Sequence, residues 1–99
     1  MGLFGKKKDI VYPKVCDVFT PEAVQKILNA VKQKGLDYYG PKYRDYLQVT
    51  LSALEKPDSI PDKRGWQGII FGAGMLTKLE PSVKPELDAA IKKYHELVS

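Results

Sequence analysis

The sequence predicts an all-α fold: a small four-helix bundle or a compact irregular helical domain over residues 9–99, preceded by a flexible basic tail over residues 1–8. Three observations lead there. Four segments carry apolar residues at the 3.6-residue period of a helix. The links between them are short and marked by Pro and Gly, which favours antiparallel neighbours. The run Gly65–Leu79 is the most apolar in the chain, and the segments on both sides look built to cover it. Helix content above half the residues follows.

The central run is best read as a helix. Trp66, Ile69, Ile70, Ala73 and Leu76 share one face, with Gly65, Gly68 and Gly72 on its flank near Leu79. Phe71 and Met75 lie almost opposite, leaving only the strip Gln67, Gly74 and Lys78 free of large apolar groups. A helix apolar nearly all round is expected to be buried. Glycine in a helix interior costs roughly 1 kcal/mol relative to alanine, so three glycines on one flank point to the close approach of another backbone. The run is shorter than the roughly 20 apolar residues a membrane span needs. It also lacks the G-x-G-x-x-G spacing of a dinucleotide site. A buried strand at Ile69–Phe71 is the alternative.

Of the other segments, Asp9–Phe19 has no clean period and is open between helix, strand and strap. The next helix starts at Thr20, a good N-cap, with Pro21 in the first helical position and Glu22 at the positive end of the dipole. Phe19 and Val24 have the spacing of a hydrophobic staple. Val24, Ile27, Leu28 and Val31 form the stripe, and Gly35 is placed to end it. Leu36–Pro41 is a connection. A further helix runs from about Pro41 to Glu55, with Tyr43, Tyr46, Leu47, Thr50 and Leu54 facing inward, Leu51 beside them, and Pro57 as the stop. Ser59 and Asp62 are cap candidates before the central helix. Pro85 and Glu86 open the last one, with Leu87, Ala90, Ile91, Tyr94, Leu97 and Val98 on one side. Ile69, Ile70, Leu28, Leu47 and Ile91 are the expected core.

At 99 residues the chain is one domain with a modest core. Of the formal net charge of +4, three charges belong to Lys6, Lys7 and Lys8, so the body is close to neutral. That weakens a nucleic-acid reading from charge alone. Cys16 is the only cysteine, and a free thiol with no secretory signal fits a cytoplasmic protein. Cys16 itself reads as a small packed side chain. Leu3 and Phe4, followed by Lys6, Lys7 and Lys8, allow peripheral contact with an anionic membrane at about 1 kcal/mol per lysine.

Little points to catalysis. His95 is the only histidine, with no cysteine or second histidine at ligand spacing, so no metal site and no cofactor are expected. The serines lie in no nucleophile elbow, and the acidic residues are scattered among lysines as on a solvated surface. The chain reads as a non-enzymatic protein-interaction module. Its aromatic residues are the better lead: Tyr38, Tyr39, Tyr43 and Tyr46 crowd one loop and the helix it feeds, with Lys42 and Arg44 interleaved. Tyrosine favours interfaces. Adjacent tyrosines diverge in any regular backbone, so at least one of Tyr38 and Tyr39 should be exposed. A partner, expected to be a protein, is therefore placed at Tyr38, Tyr39, Lys42 and Arg44. The same alternation of aromatic and basic groups could stack bases and meet phosphate, which makes weak nucleic-acid binding an alternative.

The stretch Pro41-Lys42-Tyr43-Arg44-Asp45-Tyr46-Leu47-Gln48-Val49, followed by Leu54-Glu55-Lys56, resembles the second helix of bacteriocin immunity proteins. Those are small, basic, cytoplasmic four-helix proteins that protect a producer cell from its own antimicrobial peptide. The resemblance implies a self-protection role as a second alternative. The start Met1-Gly2-Leu3-Phe4 and the glycine-rich third helix lie outside it.

Overall fold

A computed structural model describes residues 11–98. Of these, 81% are helical and none is in a strand. The tail residues Leu3, Phe4, Lys6, Lys7 and Lys8 lie outside the described range. The α-helices are α1 (Val15–Val18), α2 (Pro21–Lys34), α3 (Arg44–Leu54), α4 (Lys63–Leu79) and α5 (Lys84–Val98), with 3-10 turns at Leu36–Tyr39, Pro41–Tyr43 and Pro81–Val83.

Local chemistry sets the helix ends. The Thr20 hydroxyl accepts from the Ala23 amide at 3.1 Å, and Pro21 follows as the first residue of α2. Gly35 ends α2 at φ +84°, a left-handed region that costs other residues strain. Gly40, at φ +101°, separates the two 3-10 turns that lead into α3. The Asp62 carboxylate accepts from the Gly65 amide at 2.8 Å and starts α4.

Helix α4 is the centre of the molecule, with α3 against one flank and α5 against the other. Its approach to α3 is close. A Cβ built on Gly68 would lie 3.3 Å from the Val49 methyl, and one on Gly72 would lie 2.6 Å from the Tyr46 carbonyl oxygen. The expected close approach on the glycine flank is thus seen at Gly68 and Gly72. Gly65 meets instead the connection before α4, at Pro61 and Asp62.

The core gathers Trp66, Ile69, Ala73 and Leu76 of α4 with Leu47, Leu51 and Leu54 of α3, Leu87 and Ala90 of α5, and Ile27 and Val31 of α2. Burying such side chains is worth about 1.5–3 kcal/mol each. Segment 11–19, undecided from the sequence, is a strap closed by the single turn α1. The amides of Val15 and Cys16 donate to the carbonyls of Ser59 and Pro57, at 3.0 and 2.8 Å. The Trp66 indole N–H donates to the Pro13 carbonyl at 3.1 Å. Val15 and Phe19 are fully buried beneath the strap.

Several expectations need correction. Cys16 is exposed, because α1 turns Val15 and Val18 inward and leaves the thiol outside. Leu28, Ile70 and Ile91 are only half-buried at the margin of the core, whereas Leu47 and Ile69 are buried as expected. Tyr46 turns outward with 47% of its surface exposed, since the backbone at its own carbonyl is already pressed against Gly72. Helix α4 is not covered all round: Phe71 is 53% exposed and Met75 half-buried. Among the described residues, the covering helices lie on the Trp66–Ile69–Ala73–Leu76 side.

Candidate functional site

The tyrosine loop divides into a buried half and an exposed half. Tyr38 is 64% exposed and Tyr39 only 7%, their rings edge to face at 5.1 Å. Tyr39 enters the core and donates its phenol proton to Glu80 at 2.7 Å. Lys34 donates to the same carboxylate oxygen at 2.7 Å, and Ser82 donates to the other at 2.5 Å. Glu80 is 97% buried by this arrangement, with 3% of its surface exposed. Hydrogen bonds from Lys34 and then Ser82 hold its carboxyl down at about 2, against the burial that opposes them. Burial raises the Tyr39 phenol above its ordinary value, and the bond to Glu80 adds to that. Glu80 fastens the loop after α2 to the turn after α4. With all of these bonds internal to the fold, it reads as structural.

The remaining residues of the loop lie outside. Arg44 pairs with Asp37 across the turn. The Lys42 ammonium stands over the Tyr43 ring, 5.4 Å from its centre, and that of Lys34 stands 5.0 Å from the centre of the Tyr38 ring. The structure therefore groups Tyr38, Lys42 and Arg44 on the surface and withdraws Tyr39 from it.

The uncovered side of α4 carries a larger feature that sequence reasoning missed. A groove of about 580 Å³ is walled by Tyr43 ahead of α3 and by Ile91 of α5, with Ile70, Phe71, Met75 and Leu79 among its other lining residues. Tyr46 packs against Phe71 at its edge, ring centres 5.1 Å apart and planes 75° to each other. Lys78 is the one charged residue in the lining. Gly74 also lines it, and a Cβ there would meet nothing within 4 Å. Comparison with known proteins found no match to a family model, a curated protein or a solved structure. The geometry of the chain itself thus carries the functional argument.

Gly74 is informative because the fold does not require it. Gly68 and Gly72 make room for α3, and Gly65 for the preceding connection. Gly74 makes room for nothing in the described residues, although alanine would favour the helix by roughly 1 kcal/mol. What it does is present bare backbone to the groove. The signal was visible in the sequence as apolar residues on both sides of α4. An apolar circumference ordinarily means cover on all sides, and here one side stays open.

Among the described residues, no group of three or more His, Cys, Asp or Glu side chains is placed to hold a metal ion. No helix there is long and apolar enough to cross a membrane.

Proposed function

We propose that this chain is a non-enzymatic helical module that binds a protein partner along the open side of α4. The observation that carries the reading is an apolar groove whose helix is apolar on both sides and covered on one. Phe71 and Tyr46, each about half exposed and packed edge to face, offer the large rigid aromatic area that anchors interfaces. Tyr43 joins the groove to the tyrosine loop, so Lys42 stands at its end. The loop residues Tyr38, Lys42 and Arg44 then serve as a rim, and the centre of binding moves from the loop to α4. The exposed single thiol of Cys16 supports a reducing, cytoplasmic setting.

Capture from the source cell with matched baits tests this reading. The wild-type chain is compared with Gly74→Leu, which fills the groove from a position where a side chain meets no neighbour, and with Tyr38→Ala. A protein retained by wild type and by Tyr38→Ala but lost by Gly74→Leu is the expected result. Equal retention by a folded Gly74→Leu bait contradicts the reading.

A further inference from the structure

We infer that the occupant of the α4 groove is an amphipathic helix whose apolar ridge is flanked by carboxylates. The inference rests on the reading of the groove as a protein-binding surface and adds the chemistry of the partner.

Shape and backbone chemistry select a helix. The groove follows α4 from Ile70 to Leu79, roughly 14 Å at 1.5 Å per residue, which suits anchors at i, i+3 or i+4, and i+7. Its walls are helices whose backbone groups are bonded internally, with no sheet edge to pair with. An extended segment laid there would bury N–H and C=O groups without partners, whereas a helix satisfies its own. Gly74 lets the incoming helix approach closely at the middle of the groove, as small residues do at other helix contacts.

Charge selects the flanks and separates the competing occupants. Lys78 lies in the lining and Lys42 stands over the Tyr43 wall, and no carboxylate of the described residues lines the groove. Of the acidic groups near the lining in sequence, Glu80 is committed to Lys34, Tyr39 and Ser82 and Asp88 to Lys84, while Asp45 is exposed on α3 and outside the lining. A second copy docked face to face would repeat Lys78 across the two-fold axis. The segment Lys6-Lys7-Lys8 of the same chain would add three cations to those already there. Both add cations to the groove and bring no carboxylate from the lining to meet them, whereas interfaces favour complementary charge. Glu or Asp on either side of a Leu-type ridge meets Lys78 and Lys42 with opposite charge.

The test is a display library of amphipathic helices with a fixed apolar ridge and random flanks, selected against the full chain and counter-selected against Gly74→Leu. Circular dichroism first establishes that Gly74→Leu is folded. The expected result is enrichment of acidic flanks. The best such peptide should bind about tenfold tighter than its Lys-flanked counterpart, and Lys78→Glu should remove most of that difference. Binders that footprint the groove with neutral or basic flanks, or a Lys78→Glu variant that keeps the acidic preference, overturn the inference and leave the binding reading standing. Absence of any peptide enriched over Gly74→Leu overturns both. A dimer seen by sedimentation and abolished by Gly74→Leu overturns the inference in favour of a second copy.

Discussion

The Thr50 hydroxyl occupies the space into which a side chain on Gly72 would project. It donates to the Ile69 carbonyl at 2.9 Å, so it is held there by its own bond. Gly72→Ala should therefore destabilise the fold by roughly 1–3 kcal/mol through overpacking. Gly74→Ala, two residues further along α4 on another side of the helix and facing open space, should stabilise it by roughly 0.5–1 kcal/mol. Urea denaturation of the two variants checks this, and shifts of the same sign would contradict the close packing of α3 on α4.

The two flanks of α4 that face solvent and core should differ in the same way. Ile69, buried against the core, should cost roughly 2–5 kcal/mol when truncated to alanine. Ile70 is half-buried at the groove, and its truncation should cost less than half as much. Equal losses would place Ile70 in the core and close the groove.

What could be read from the sequence was mostly what local rules determine. Thr20, Pro21 and Gly35 mark α2 through capping chemistry confined to a few residues. The glycine flank of α4 announced a close neighbour without naming it, and Val49 and Thr50 proved to be that neighbour. Glu80 was lost among surface charges because its partners, Tyr39 and Lys34, lie 41 and 46 residues away. Periodicity places Tyr46 inward and Phe71 on the far side of a helix apolar nearly all round, but it records that a face is apolar and not whether the chain has a layer to cover it. The groove became legible only when α2 and the strap were seen to cover one side alone.

Acid should test the Glu80 cluster. Its carboxyl lies at about 2 in the folded protein against 4.5 for the free group. The folded value is depressed, so the contribution is full above pH 4.5 and is lost as pH falls toward 2. Glu86 acts in the same direction through its bond from Lys26. Glu80→Gln should lower stability at pH 7 by roughly 1–3 kcal/mol, since Lys34, Tyr39 and Ser82 lose a charged acceptor. Its urea midpoint should also fall less than that of wild type between pH 5 and pH 2.5. Parallel curves would show that the carboxylate is not held by these bonds.

The exposed position of Cys16 makes a simple prediction. An aromatic disulfide reagent should modify the thiol of the native protein without denaturant, at a rate comparable to that of the unfolded chain. A requirement for denaturant would return Cys16 to the packed position expected from the sequence and would displace the α1 turn.

A contact surface on the open side of α4 has a direct signature. Hydrogen exchange of the chain, free and with its captured partner, addresses that directly. Added protection should concentrate on the amides of Ile70–Leu79 in α4 and around Ile91 in α5, with little change at Tyr38. Protection centred on Tyr38 and Arg44, with the α4 amides unchanged, would contradict the account and return the site to the tyrosine loop.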